Sequence, residues 1–332
     1  MENIKHSSPP SSLPSLLIYS SSSQRSIIMA SPFKNILLIG ASGSIGAIVL
    51  DALVQEPTFN VTALQRKSSK SKIPSGVNVV TIDDAYPSDV LESIFRGQDA
   101  VINCMTSLAV SDQIRFIDAA VAAKVKRYVP SEYGLNNNRP EARALNSVFH
   151  DKGEVQDYLR LREKDGLEWM SIACGMWLKW SANHDFLGMH LKEKRFVIWD
   201  DGEGWFSCTT EENTALGLIN ALTKRWEETK NQIVWLSDFA LTQNMLLAAL
   251  ERIGGEKLQI ERVITSDLIK EKQAAVAQGD VLATYALIET GFVSGKFGGH
   301  LEKEGKIMNE LLELPPKSVD EVIKDALESV RV

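Results

Sequence analysis

The chain has 332 residues, 44% of them hydrophobic and 24% charged, with a formal net charge of −7. That balance belongs to globular domains, and the acidic charge supplies no concentrated basic face for nucleic acid. No apolar run approaches the roughly 20 residues that a membrane helix needs.

The three cysteines (Cys104, Cys174 and Cys208) lie far apart, and the five histidines do not cluster. Neither set has metal-ligand spacing, so no metal site is read. Sparse, unpaired cysteines fit a reducing, cytoplasmic setting better than a disulfide framework.

Residues 1–31 are a different material. Serine and proline dominate from Ser7 to Ser31, with one apolar patch from Leu13 to Tyr19 that Pro14 interrupts. Such a segment cannot bury enough surface to offset its ordering entropy, so disorder is expected. Met29 stands just ahead of the first strand as an alternative start, which makes the extension dispensable.

Ile36 to Ile39 is a buried strand by length and composition. It runs into Gly40-Ala41-Ser42-Gly43-Ser44-Ile45-Gly46, three glycines spaced G-x-x-G-x-x-G, and then into a helical apolar pattern through Ile45, Val49, Leu50 and Leu53. Strand, glycine turn and helix in that order are the context of a dinucleotide fingerprint. Glycines let the main chain approach a pyrophosphate, and the free N–H groups at the helix start favour its charge. Gly40, Ser42, Gly43, Ser44, Ile45 and Gly46 are therefore the candidate pyrophosphate contacts.

Asn60 to Gln65 reads as a second strand. At its end, where an Asp or Glu would hold the ribose 2′-OH of NAD, stand Arg66 and Lys67, followed by Lys70 and Lys72. Cations there favour a 2′-phosphate, hence NADP(H), with Arg66 and Lys72 as candidates. Val77 to Ile82 gives a third strand, and Pro87 to Arg96 a helix with Ser88 as its cap. Ala100 to Cys104 is a fourth strand, whose end places Thr106 where a nicotinamide would lie. Ile114 to Ala123 reads as a helix and Arg127 to Ser131 as a fifth strand. This alternation predicts a Rossmann-type, doubly wound parallel sheet.

Ordinary short-chain dehydrogenases pair a Tyr with a Lys four residues on. Here Tyr128 is followed by Glu132, Tyr133 by Asn137 and Tyr158 by Arg162. The chain offers Lys152 instead, on a helical stripe with Val148, Val155 and Leu159 that should face the sheet. Burial and a positive nicotinamide would lower such a lysine's pKa toward the range of proton transfer. The bland alternative is a lysine whose stem packs and whose head reaches water. His150 and Asp151 are expected to be exposed.

Several of these pieces resemble one family, the NmrA-like and isoflavone reductase-like proteins, an atypical branch of the short-chain dehydrogenases that includes phenylcoumaran benzylic ether reductases. The glycine motif is similar to theirs. Lys126-Arg127-Tyr128-Val129-Pro130-Ser131-Glu132-Tyr133-Gly134 is similar to K-R-F-x-P-S-E-F-G, and His150-Asp151-Lys152-Gly153-Glu154-Val155 to a D-D-K-x-x-V segment. Gly202-Glu203-Gly204 leading into Thr209 to Ala215 resembles the family's G-D-G turn and its acidic helix start. The resemblance implies NADPH-dependent hydride transfer to a small aromatic or polyketide-like secondary metabolite, with Lys152 as the active-site lysine. Asn213, the Cys174-to-Leu178 segment and the long Leu135-to-Ser147 loop depart from the family pattern.

Trp169 to Cys174 is a sixth strand. The aromatic-rich residues after it make Met176, Trp177 and Trp180, with Tyr133, candidate pocket residues, although core is the commoner fate of buried Trp. Phe196 to Trp199, Ile233 to Trp235 and Lys257 to Ile264 read as further strands. Helices are expected at Thr214 to Ala221, Gln243 to Ile253 and Pro316 to Val330. The expected division is an extension at 1–31, an NADP-binding domain at 32–175, and a smaller α/β substrate lobe at 176–332 that interleaves with the first. The partners expected are a small-molecule substrate and, at most, a second copy in a homodimer. Two rivals stay open: an NADP(H)-sensing regulator without turnover, and an epimerase or dehydratase using Tyr133 with Lys152.

Overall fold

The computed structural model describes residues 31–330. The expectations for positions 1–30, disorder and the alternative start at Met29, lie outside them. Ser31, counted with the extension, donates from its hydroxyl to the Leu222 carbonyl at 2.7 Å.

The first half alternates strands and helices. In order these are β1 (Asn35–Ile39), α1 (Ser44–Gln55), β2 (Asn60–Arg66), β3 (Asn78–Ile82), α2 (Ser88–Phe95), β4 (Ala100–Asn103), α3 (Gln113–Ala122), β5 (Arg127–Val129), α4 (Pro140–Leu145), α5 (Ser147–Arg162) and β6 (Glu168–Ala173). In the second half follow α6 (Leu178–Asn183), β7 (Met189–His190), β8 (Arg195–Trp199), β9 (Trp205–Cys208), α7 (Glu211–Thr223), β10 (Gln232–Trp235), β11 (Phe239–Thr242), α8 (Gln243–Gly254), β12 (Gln259–Val263), α9 (Thr265–Ala277), α10 (Ala283–Val293) and α11 (Val319–Val330).

The main sheet has seven strands in the order β10-β6-β5-β4-β1-β2-β3, and every pairing in it is parallel. It is a doubly wound α/β sheet, as the alternation predicts. Along β1, Ile36 and Leu38 join the core under α1 and α7, whereas Leu37 and Ile39 join the core under α2, α3 and α5. Both faces are therefore buried, which is why β1 reads as an unbroken apolar run rather than an alternating one. The order reverses between β1 and β4, the switch point where such sheets leave a crevice at their carboxyl edge.

The second half contributes β10 to this sheet and builds its own core around Phe196, Trp199, Phe206, Leu246, Leu250 and Ile323. Two small sheets, β11-β9 and β12-β8-β7, belong to it. No helix among the described residues is long and apolar enough to cross a membrane.

Several sequence expectations need correction. Ser88 is not a cap: it is the first residue of α2, Pro87 holds the cap position, and no side chain caps the helix. The Leu135-to-Ser147 loop contains α4, which starts at a proline, a residue tolerated in a first turn where the missing N–H has no partner to lose. The last helix begins at Val319, three residues after the expected Pro316. Strands β7, β9 and β11 and helices α6, α9 and α10 were not foreseen. Their segments are two to thirteen residues long, and strands as short as Met189–His190 carry no period of their own.

Candidate active site

Gly40 ends β1 with φ +79°, and a Cβ there would stand 2.5 Å from the Cys104 carbonyl oxygen. The Gly43 N–H closes the turn onto the Gly40 carbonyl at 3.0 Å. A Cβ on Gly46 would lie only 2.0 Å from that same carbonyl. These two glycines seat α1 against the turn, and no other residue fits. Gly43 is exposed, and α1 begins with no side-chain cap and no acidic residue in its first turn. Its leading N–H groups are therefore available to an anion, with the helix dipole behind them.

Gly43, Ser44 and Ile45 form one end of a cavity of about 350 Å³ at the carboxyl edge of β1, β4 and β5. Cys104 to Ser107 and Ser131 to Leu135 continue the wall, and Lys152 lies opposite with Val148 and Phe149 of α5. Apart from Asn137 and Gly175, the remaining wall is apolar and aromatic: Met176, Trp177, Trp180, Phe186, Tyr285, Ile288 and Phe292. Such a lining with a few convergent polar groups is the ordinary form of a small-molecule site.

Lys152 is 7% exposed, so it does not snorkel. Its ammonium donates to the Glu132 carbonyl oxygen. Burial pushes its pKa down, and the Glu132 carboxyl opposes that shift. Asn146 caps α5, its side chain accepting from the Phe149 N–H at 2.9 Å, which fixes the turn that carries Lys152. Gly153 beside it is required by packing: a Cβ there would meet Arg143 Nε at 2.2 Å and the Asn137 carbonyl at 2.8 Å. His150 is exposed and Asp151 half-buried.

Tyr133 is held at φ +37°, an uncommon backbone for a side chain of this size. Its hydroxyl meets Cys104 Sγ at 3.4 Å rather than Lys152. Burial raises the phenol well above its ordinary range, and likewise drives the Cys104 thiol up to about 12. The structure thus brings Tyr133 into the cavity with Lys152 without forming an acid–base pair between them. Trp177 donates to Thr214 Oγ1 at 3.1 Å, and Trp180 reaches across to Ser44 Oγ at 3.3 Å. Met176 is buried while both indoles are half-buried at the cavity wall, so these side chains serve core and pocket together.

Of the remaining candidates, Ser42 is exposed on the turn, and Thr106 is exposed at the cavity wall. Arg66 and Lys72 are exposed and lie outside the cavity lining. The carboxylate absent from the end of β2 arrives from the end of β3. Asp84 stands 4.0 Å from Arg66 and accepts from the Ser68 N–H at 3.1 Å and from its hydroxyl. The Ser68 bonds hold the Asp84 carboxyl below its usual range.

Sequence reasoning missed Glu132, which accepts from Lys152; Asn137 and Gln156, which hold the Glu132 carboxyl; and the face of α10 formed by Tyr285, Ile288 and Phe292. Glu132 was visible inside the Ser131-Glu132-Tyr133-Gly134 motif but had no role. The helical spacing of the α10 residues was readable in an unassigned segment. No group of three or more potential metal ligands exists among the described residues.

A sequence model of the NmrA-like family matches residues 32–322. The oxidoreductase aprR of Aspergillus flavus is 34% identical over 297 residues, covering 88% of this chain and 98% of that protein. The isoflavone reductase of Pisum sativum is 26% identical, covering 73% and 82%. Among solved structures, an isoflavone reductase superposes with a TM-score of 0.71 at 22% identity, covering 88% of this chain and 98% of its own. A leucoanthocyanidin reductase–NADPH complex from Vitis vinifera gives 0.70 at 20%, covering 90% and 100%. At these identities the superpositions establish the shared fold.

Proposed function

The chain belongs to the NmrA-like family, and from that premise we propose that it is an NADP(H)-dependent oxidoreductase reducing a small aromatic or polyketide-like metabolite. The observation that carries the reading is the placement of a buried Lys152 in the same cavity as the uncapped, glycine-lined start of α1. The oxidoreductase aprR and the isoflavone reductases are relatives of matching kind.

The residues fit the coenzyme. Amides at the start of α1 would hold the pyrophosphate, with Ser42, Ser44 and Ile45 around it and Gly43 leaving its approach open. Arg66 would meet the 2′-phosphate, exchanging a 4.0 Å contact with Asp84 for a phosphate, and Lys72 would add charge nearby. Thr106 and Lys152 would flank the nicotinamide half. The coenzyme, when bound, supplies a hydride. Lys152 holds the matching proton at Nζ, oriented by the Glu132 carbonyl, and delivers it to the oxygen or carbon that turns basic as the hydride arrives. Its lowered pKa suits that task, since an acid works best with a pKa close to the working pH. Phe149, Tyr285, Phe292 and the two tryptophans exclude water and offer flat apolar faces to an aromatic substrate.

The test is a metabolite screen for NADPH consumption, followed by Lys152→Met. Turnover lost with coenzyme binding kept supports the assignment. Full turnover in the variant would remove Lys152 from the chemistry. A protein that binds NADPH but turns it over with none of the metabolites would favour a sensor.

A further inference from the structure

Glu132 is 2% exposed, at the cavity wall, and its hydrogen bonds are lopsided. Asn137 Nδ2 and Gln156 Nε2 both donate to the same oxygen, Oε2, each at 2.7 Å. The other oxygen, Oε1, is buried without a partner, and so are the amide oxygens of Asn137 and Gln156. Three acceptor oxygens around one carboxyl thus lack a donor. A carboxylate has only acceptors to offer, whereas a carboxylic acid adds one O–H. A proton on Oε1 would add a donor there, so this carboxyl can stand either neutral or charged.

The same residue presents its main-chain carbonyl to Lys152 Nζ, and Gln156 stands one helical turn beyond Lys152 on α5. One helix face therefore holds both ends of Glu132, its carbonyl through the lysine and its carboxyl through the glutamine. The other charged and titratable groups facing the pair are Arg143 of α4, Cys174 after β6, and the Tyr133–Cys104 contact. Arg143 is occupied by Asp157 at 2.6 Å, by the Asn137 carbonyl at 2.8 Å and by the Gly153 carbonyl at 3.2 Å. Cys174, Cys104 and Tyr133 are all pushed upward and stay neutral near pH 7. Lys152 and Glu132 are left as the two groups in the site whose charges answer to each other.

We infer that Glu132 is the positioning residue that governs the charge of Lys152, its carbonyl orienting the ammonium and its carboxyl, when ionised, supporting it; this rests on Lys152 being the proton source named above. After the Lys152 ammonium gives a proton to the reduced substrate, the amine left behind is reprotonated from water at the cavity mouth. Each turnover thus moves one hydride from NADPH and one proton from solvent. Burial, which pushes Glu132 up to about 7, is consistent with a carboxyl whose charge changes near neutrality.

The test needs neither coenzyme nor substrate. Full-length protein is trace-labelled with acetic anhydride across pH 6 to 11, and the acetylation of Lys152 is read by peptide mass spectrometry, since only the neutral amine reacts. In Glu132→Gln the anion that supports the ammonium is gone, so the labelling midpoint should fall. At pH 8 Lys152 should then be about tenfold more reactive than in wild type, one pH unit of coupling. Glu132→Asp should restore the wild-type midpoint. An unchanged midpoint in Glu132→Gln, or a Lys152 unlabelled even at pH 11, overturns the inference. Should Glu132→Gln not fold, Gln156→Leu carries the same test. Losing one donor to Oε2 weakens the carboxylate and should likewise lower the midpoint. Failure of NADPH consumption would sink the proposed function while leaving this result intact.

Discussion

Replacing Gly43 by alanine separates the grip on coenzyme from the integrity of the fold. The added Cβ would sit 3.3 Å from the Gly40 carbonyl oxygen and 3.7 Å from that of Cys104. The first contact is tight but yields to a shift of a few tenths of an ångström. Gly43 has φ −76° and ψ 172°, which alanine adopts without strain. Alanine is a poorer cap than glycine by a few tenths to about 1 kcal/mol, while the stiffer unfolded chain returns ~0.4–1 kcal/mol. Net stability should change by no more than about 0.5 kcal/mol, a shift in Tm of ~2 °C or less for a chain of this size. The methyl group, however, stands at the cavity wall beside the free amides of α1. Losing one charge-assisted hydrogen bond to phosphate costs about 1.5–3 kcal/mol, which weakens NADPH by roughly ten- to a hundredfold. Gly46→Ala is the contrast. Its Cβ would press to 2.0 Å from the Gly40 carbonyl, an overpacking worth ~1–3 kcal/mol, so both Tm and affinity should fall. Calorimetric titration with NADPH beside thermal melts reads both. A Gly43→Ala protein that melts and binds NADPH as wild type does would refute main-chain recognition at this turn.

Lys152→Met should lower turnover about 10²–10⁴-fold. Its Tm should fall by a few degrees, because the buried Glu132 carbonyl loses its donor at a cost of about 1–3 kcal/mol; steady-state rates and melts check both. Arg66→Ala should weaken NADPH by about 1.5–3 kcal/mol and leave NADH unaffected, since the coenzymes differ only in the 2′-phosphate. Parallel titrations with the two coenzymes decide it. Arg127 is fully buried, donating to Glu168 at 2.7 Å and to the Trp226 carbonyl at 2.9 Å across the β5–β6 edge. Arg127→Ala leaves Glu168 only its 2.8 Å contact with Lys230 and takes a donor from the buried Trp226 carbonyl, and should cost up to about 3–5 kcal/mol in urea unfolding. Stability should also depend on pH through Glu132, whose folded pKa of about 7 lies above the ordinary 4.5. The native state keeps a proton that the unfolded chain releases between those values. The stabilisation is present below pH 4.5 and drains as pH rises through 7, by roughly 3 kcal/mol at most, so Glu132→Gln should flatten that slope in urea midpoints.

The parallel sheet and the glycine turn were legible because their signals are local. Ile36 to Ile39 is buried on both faces, and Gly40 and Gly46 mark places where a Cβ has no room. Lys152 was legible for a related reason: one polar residue on an apolar stripe stands out. Its environment was not, because Glu132, Asn137 and Gln156 come together only when β5, the following loop and α5 pack. Asp84 escaped in the same way, reaching Arg66 from the neighbouring strand sixteen or more residues along the chain. In the second half, strands of two to four residues such as β7 and β11 are set by their partners, not by their own pattern.

Diffraction from crystals of the full chain grown with NADP⁺ would show whether the glycine turn and Lys152 hold one coenzyme between them. The pyrophosphate should lie on the amides of Ser44 and Ile45, the 2′-phosphate at Arg66, and the nicotinamide beside Lys152 Nζ in the cavity. Coenzyme bound elsewhere, or a Lys152 side chain turned out to solvent in the complex, would contradict that placement.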